Sequence, residues 1–299
     1  MTLNQRGIRD IIVVDDLKNG YKVRNLADAD ILDYVDKDDF LAKISSGVGF
    51  GSVTAVFHQG ACSATTEWDG QYVMRNNYEY SKTLLHWSQQ QKSPFIYASS
   101  ASVYGLGQNG FREHRDCESP INMYAYSKFQ FDQYVRGLSD KLEHQVVGLR
   151  YFNVYGPREF HKGDMSSTAY KFNVQVGELG VAKLFTGSGG YGNGEQRRDF
   201  VFVDDCVDVN LWFLEHPNKS GVFNLGTGRA QSFNDVANAV IDWHGRGRLE
   251  YIPFPDSLKG AYQSFTQADL TALRAAGYLK DFHSVEQGVK KYLDWLNPV

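Results

Sequence analysis

Four short apolar runs constrain what this 299-residue chain can fold into. Ile11–Asp15, Val53–His58, Pro94–Ser99 and Val146–Asn153 are apolar almost throughout, as strands covered on both faces are. Longer stretches of helical pattern separate them, notably Tyr72–Gln91 and Met123–Leu138. In the second stretch Phe131, Tyr134, Val135 and Leu138 fall on one helix face and supply a stripe toward the core. Strands alternating with helices predict an α/β fold built on a doubly wound parallel sheet.

The pattern changes after Asn153. Gly156–Gly194 is rich in glycine, charge and isolated aromatics, and reads as loops with one helix near Ser166–Leu179. A strand (Phe200–Val203), a helix (Asp204–Glu215, capped by Asp204 or Asp205) and a strand (Gly221–Leu225) follow. Helices starting near Ser232, Gln267 and Ser284 close the chain, the last opening on a capping box, Ser284-Val-Glu-Gln287. This divides the chain into a sheet domain, 1–155 with 200–226, and a smaller discontinuous domain, 156–199 with 227–299. A ligand is expected between them, beyond the carboxyl ends of the strands.

Composition narrows the partners. No run approaches the ~18 apolar residues of a membrane span. Met1–Asp10 lacks the apolar stretch of a signal peptide, so the expected compartment is the cytoplasm. A net charge of −4 leaves no basic excess for nucleic acid. Cys62, Cys117 and Cys206 lie far apart in no metal-ligand spacing, so neither a metal site nor a disulfide framework is expected.

The chemistry centres on Tyr124-Ala-Tyr-Ser-Lys128, a phenol and an ammonium at i and i+4 on one helix face. A free tyrosine, with a pKa of about 10, is a weak base at neutral pH, and a lysine charge beside it favours the phenolate. On its own the pair also fits a surface helix. Upstream, Phe95-Ile-Tyr-Ala-Ser-Ser100 ends in hydroxyls at the carboxyl edge of the predicted sheet, and Ser100, then Ser99, is placed to steady a substrate hydroxyl. Strand-end serines are also common turn formers. Arg150-Tyr-Phe-Asn-Val-Tyr-Gly-Pro-Arg158, Arg197-Arg-Asp-Phe-Val-Phe-Val-Asp-Asp205 and Phe223-Asn-Leu-Gly-Thr-Gly228 complete the set.

In this order and spacing the motifs resemble the extended short-chain dehydrogenase/reductase family, whose members modify nucleotide sugars on a Rossmann-like sheet. His58-Gln-Gly-Ala-Cys-Ser-Ala-Thr-Thr-Glu-Trp-Asp69, Gly156-Pro-Arg-Glu-Phe-His-Lys-Gly163 and Tyr262-Gln-Ser-Phe-Thr-Gln-Ala-Asp-Leu270 narrow the resemblance to the branch acting on ADP-heptose for lipopolysaccharide. That resemblance implies a tightly held NADP, transient oxidation at C6″ of the heptose, and return of the hydride to the opposite face. It implies Tyr124 as one acid–base group with Lys128 and Ser100 beside it, and Lys162 as the second base. Asn153, Phe185, Thr186, Gly187, Ser188, Arg198 and Tyr262 would hold substrate, with Arg198 on its phosphates. Gln59, Gly60, Ala61, Cys62, Ser63, Asn76, Lys128 and Val154 would line the nicotinamide side. Asp15 and Asp16 would meet the adenosine ribose, and Lys22 and Lys37 its 2′-phosphate. An acid at that strand end ordinarily favours NAD, so NAD is the alternative. Members of this branch form homo-oligomers, with a pentamer implied.

The chain departs from the family in several places. A dinucleotide fold opens on a strand, a glycine turn and a helix, with the ribose-binding acid ~20 residues on. If Asp15 is that acid, the turn falls before residue 1, and Thr2–Gly7 reads as the tail of its helix. Gly47-Val-Gly-Phe-Gly51 precedes a strand, and Gly187–Gly194 belongs to the second domain, so neither replaces it. Asp164 and Lys171 stand where the family has serine and histidine on the substrate, and Gly189–Gln196 reads as an insertion. A family 4,6-dehydratase carries an acidic pair after its serine or threonine, which Ala101-Ser-Val-Tyr104 lacks. Another nucleotide-sugar epimerase, or a non-catalytic remnant without the glycine turn, are the competing readings.

Overall fold

The computed structural model describes residues 1–256 and 262–298. A helical turn, α1 (Thr2–Gln5), leads to β1 (Ile12–Asp15), a 3-10 stretch (Gly20–Asn25), β2 (Asp33–Asp36) and α2 (Lys37–Ser45). Next come β3 (Val56–His58), α3 (Gly70–Met74), a π-helical turn (Arg75–Glu79) running into α4 (Tyr80–Gln90), and β4 (Phe95–Ser100). Helix α5 (Met123–Gly137) precedes β5 (Val146–Tyr151) and β6 (Asn153–Tyr155). The remainder holds α6 (Thr168–Leu179), β7 (Val181–Phe185), β8 (Arg197–Arg198), β9 (Phe200–Phe202), α7 (Val203–Glu215) and β10 (Gly221–Leu225). It closes with β11 (Gln231–Ser232), α8 (Phe233–His244), β12 (Arg248–Ile252), α9 (Thr271–Ala276) and α10 (Val285–Leu296).

The expected parallel α/β architecture is present. The largest sheet runs β10-β5-β4-β3 with every neighbour parallel. β1 pairs with β2, β7 with β12 and β6 with β9, also parallel; β8 and β11 are antiparallel. Among the described residues β1 is laddered only to β2, and β3 only to β4. One apolar cluster nonetheless spans both sheets, packing Val35, Phe40, Leu85, Phe95 and Phe131 with the flanking Ile12, Val14 and Val56. A second core holds Phe172, Ala182, Leu184, Val240 and Leu293 from α6, β7, α8 and α10.

Several elements differ from the sequence expectation, each for a local reason. β2 and α2 carry Asp33, Asp36, Lys37, Asp38 and Asp39, and only Val35, Phe40 and Ile44 are buried, so their apolar signal is thin. β7 lies inside a segment read as loops and one helix, and its strand character comes from parallel pairing with β12. The helix expected near Gln267 starts at Thr271. Thr266 and Ala268 are held instead against the buried Asp199: the Thr266 hydroxyl accepts from the Asp199 N–H (3.2 Å), and the Ala268 N–H donates to its carboxylate (2.9 Å). Helix α7 has no side-chain cap, because it starts at Val203 with Phe202 in the cap position; Asp205, inside the first turn, accepts instead from His283 Nδ1 (2.7 Å) and its N–H (2.9 Å). The capping box at Ser284 and Gln287 is formed.

Candidate active site

Helix α5 opens on Asn122, whose side chain accepts from the Ala125 N–H (2.8 Å). That cap fixes the helix beside the carboxyl end of β4. Tyr124 and Lys128 then lie on one face. Lys128 is 4% exposed, and its Nζ donates to the Ala98 carbonyl of β4 (2.7 Å). Burial pushes the Lys128 pKa down to about 8, against the opposing pull of Asp132. Burial also pushes the Tyr124 phenol up, and a hydrogen bond to Ser100 works against that rise. Burial therefore outweighs the Ser100 hydrogen bond in setting the state of the phenol. Ser100 also caps the 3-10 turn Ala101–Tyr104, accepting from the Ser102 N–H (3.2 Å) and hydroxyl (2.9 Å), so turn and site uses coincide.

The loop after β3 carries Gln59, Gly60, Ala61, Cys62 and Ser63 at the strand's carboxyl end. Its order comes from Asn77. That buried amide accepts from the Cys62 N–H (2.8 Å) and donates to the Cys62 carbonyl (2.9 Å) and to Ser127 of α5 (3.0 Å). Cys62 thereby faces Tyr124. Gln59 bridges to Asn210 (3.3 Å) and accepts from the Tyr151 hydroxyl (3.0 Å). Asn76 instead donates to the Tyr72 carbonyl (2.8 Å). The π-turn determines which of the two asparagines faces inward, a detail simple helical spacing does not show. His58, read from the sequence only as a strand end and the start of a motif, sits under this loop; its Nε2 pairs with the Ser81 hydroxyl (2.7 Å). Burial, with Lys128 nearby, lowers the His58 pKa to about 3.

Ser63, Asn153, Val154, Glu159, Lys162 and Ser167 are among the residues lining a cavity of about 320 Å³. Asn153 is placed by β6, its N–H donating to the Asp199 carbonyl (3.0 Å). Lys162 lies exposed in the Phe160–Met165 turn, which bends at Gly163 (φ 52°). The buried Glu159 anchors that turn, accepting from the Ser167 N–H and hydroxyl (both 2.6 Å). Asp164 and Lys171 are exposed, and the Lys171 ammonium donates to the Asp164 carbonyl (2.6 Å).

A third group surrounds the turn after β7. The Thr186 N–H donates to Ile252 (2.8 Å) and the Gly187 N–H to the Asn193 side chain (2.9 Å). A Cβ at Gly187 would lie 2.3 Å from the Tyr191 carbonyl oxygen, so only glycine fits that approach. The Ser188 hydroxyl accepts from Gln196 (3.1 Å), and Phe185 meets Phe254 edge-on (5.5 Å). Arg198, 6% exposed, lies 4.8 Å over the Tyr262 ring. Burial lowers the Arg198 pKa and raises that of Tyr262, and a hydrogen bond between them opposes both shifts. A buried cation with no carboxylate partner among the described residues suits an incoming phosphate.

At the carboxyl end of β1, Lys22 bridges the Asp15 carboxylate (2.9 Å) and the Asp16 carbonyl (2.6 Å). The Lys18 N–H and, behind it, nearby lysine charge hold Asp16 below the usual carboxylate range. Lys37 pairs with Asp38 (2.7 Å). The 3-10 stretch Gly20–Asn25 is stitched to the Lys162 loop: Asn25 and Arg158 exchange side-chain-to-carbonyl bonds (3.0 and 2.8 Å), and Arg158 pairs with Asp28 (2.6 Å). Acids and lysines at β1, backbone at the end of β3 and Lys128 beside β4 each lie at the carboxyl end of a parallel strand, the region where open α/β sheets bind ligands. Gly47–Gly51 precedes β3, and Gly187–Gly194 follows β7.

Comparison with known proteins settles the lineage. A sequence profile of the NAD dependent epimerase/dehydratase family matches residues 1–226. The chain belongs to that family. An ADP-L-glycero-D-manno-heptose-6-epimerase from Alkalilimnicola ehrlichii is 61% identical over 292 residues, covering 98% of this chain and 91% of the relative. The crystal structure of the Helicobacter pylori enzyme of the same name superposes with a TM-score of 0.83 at 30% identity, over 97% of this chain and 88% of that one. A Thermotoga maritima UDP-glucose 4-epimerase with UDP-glucose superposes with a TM-score of 0.81 at 27% identity, over 99% and 93%. Membership makes the chain an NAD-dependent epimerase/dehydratase-type enzyme that uses a nicotinamide cofactor. Among the described residues no group of side chains could hold a metal ion, and no helix is long and apolar enough to cross a membrane.

Proposed function

We propose that this enzyme epimerises ADP-D-glycero-D-manno-heptose to ADP-L-glycero-D-manno-heptose, supplying lipopolysaccharide heptose. The observation that carries the substrate is the 61% identity across 98% of the chain to an enzyme of that name. The grouping of Tyr124, Lys128 and Ser100 supports the chemistry. When bound, the nicotinamide supplies hydride uptake and return at C6″. Ser100 orients the C6″ hydroxyl toward Tyr124, which takes its proton as the ketone forms. Lys128 holds the site charge that favours the phenolate. Lys162 serves the opposite face and protonates the oxygen when the ketone presents it. Asn153, Phe185–Ser188 and Tyr262 hold the sugar nucleotide, and Arg198 its phosphates.

The cofactor is NADP, with Lys22 and Lys37 on its 2′-phosphate; Asp15 and Asp16 keep NAD as the alternative. The segments 1–155 with 200–226 hold the cofactor, and 156–199 with 227–299 the sugar. The enzyme works in the cytoplasm as a homo-oligomer, a pentamer by resemblance. Two measurements test the proposal. Denaturing the purified protein should release NADP⁺ near one per chain, identified by mass. Turnover of the ADP-heptose should far exceed that of UDP-glucose; equal rates, or no turnover by cofactor-loaded protein, would refute the assignment.

A further inference from the structure

Lys128 must stay charged to favour a phenolate, yet it is almost fully buried and has one protein hydrogen bond, to the Ala98 carbonyl. Desolvation of an ammonium favours its neutral form. One helical turn further along α5, on the same face, stands Asp132, itself 0% exposed. Three donors fix its carboxylate: the Tyr97 hydroxyl on Oδ1 (2.9 Å), and the Ser99 hydroxyl (2.8 Å) and Arg150 Nε (2.9 Å) on Oδ2. Tyr97 and Ser99 flank Ala98, so the strand that receives the Lys128 ammonium also holds the carboxylate behind it. Gly148, opposite Tyr97, leaves room for this, since a Cβ there would lie 2.4 Å from the Tyr97 hydroxyl oxygen. Arg150 is in turn paired with Glu118, which Arg136 also engages (2.6 Å).

We propose that Asp132 is a positioning residue for the reaction, a fixed buried anion that keeps the Lys128 ammonium charged from one turn away. The inference rests on the reading of Tyr124 and Lys128 as the acid–base pair. The charged groups that bear on Lys128 among the described residues are few. Tyr124 and Asp132 share its helix, His58 faces it neutral from β3, Arg150 of β5 pairs with Asp132, and Glu118 and Arg136 lie behind Arg150. Asp132 lies two turns from Tyr124 and one from Lys128, so its field acts mainly on the lysine. A buried cluster could serve packing alone, and the test separates that role from this one.

The test is the pH profile of epimerisation by holoenzyme, with tyrosine ionisation followed by ultraviolet difference against Tyr124→Phe. In Asp132→Asn, Arg150 faces Lys128 without the intervening charge. The alkaline limb should move down by about one pH unit or more, and Tyr124 should ionise at higher pH. Asp132→Glu keeps the charge and should keep the limb near wild type. Ser99→Ala removes an O–H dipole that cancels part of the carboxylate field, so its limb should move up, and it decides the matter if Asp132→Asn does not fold. A purely structural Asp132 would lower stability and leave every limb in place, which would overturn the inference. Full turnover by Tyr124→Phe or Lys128→Met would bring down the acid–base reading and this inference together; loss in those two with unmoved limbs brings down this inference alone.

Discussion

The Asn77 side chain and the Cys62 backbone are joined in both directions, accepting from the N–H at 2.8 Å and donating to the carbonyl at 2.9 Å. An asparagine 1% exposed thus replaces the ladder that loop residues 59–63 lack. Asn77→Ala would leave the half-buried Cys62 N–H and carbonyl without this partner, at a cost of about 1 kcal/mol. Retained dinucleotide should fall along with the midpoint of urea unfolding; an unchanged cofactor load would detach this loop from binding.

Tyr124→Phe removes one hydroxyl from a ring whose packing is otherwise kept. Turnover should fall by about 10²–10⁴-fold with the circular dichroism spectrum unchanged. A near-normal rate would end the assignment of Tyr124 as acid–base group.

Lys162 lies apart from that pair, on the cavity with Ser63 and Asn153. Lys162→Met should abolish epimerisation while a C6″ aldehyde analogue is still reduced from one face. Full epimerisation by this variant would reduce Lys162 to a loop lysine.

His58 makes stability depend on acid. Its folded pKa, about 3, lies below the ordinary 6.5 because burial and Lys128 disfavour its charged form. Between these values the unfolded chain binds the extra proton, so stability is fully present above pH 6.5 and falls as pH drops toward 3. The slope is up to about 1.4 kcal/mol per pH unit from this group. Denaturation at several pH values should show His58→Gln with a shallower acid slope; an unchanged slope would mean other groups set it.

Gly148→Ala places a methyl against the Tyr97 hydroxyl in the middle of the sheet. Overpacking of this kind costs about 1–3 kcal/mol. Thermal unfolding should show the loss, and pairing the change with Tyr97→Phe should recover little of it, because the ring's ζ-carbon would still lie 2.5 Å from that Cβ.

Much of this was legible in the sequence where a residue's neighbours are close in the chain. The Tyr124–Lys128 pair, the Ser100 turn and the Ser284 capping box depend on local spacing, and the structure forms all three arrangements. What stayed hidden depends on distant partners. Asn77 rather than Asn76 turns inward because a π-turn changes the helical phase, and no spacing rule marks that turn. His58 reads as the end of an apolar run until Lys128 is brought beside it. Residues 267–270 carry a helix-like pattern and are drawn out by Asp199 instead. The roles given to Lys22, Lys37, Asp164 and Lys171 came from resemblance, and here the three lysine side chains engage neighbouring protein groups, that of Lys171 reaching the Asp164 carbonyl.

Asp199 gathers the Thr227 N–H (2.7 Å) and hydroxyl (2.8 Å), the Gly228 N–H (2.9 Å) and the Ala268 N–H (2.9 Å) onto one carboxylate. These partners lie 28 to 69 residues away along the chain. Each closure costs loop entropy that the bonds must repay. Arg198 precedes Asp199 directly, and Asn153 hangs from its carbonyl. One carboxylate therefore braces both the strand that carries Arg198 and the segment whose backbone holds Asn153.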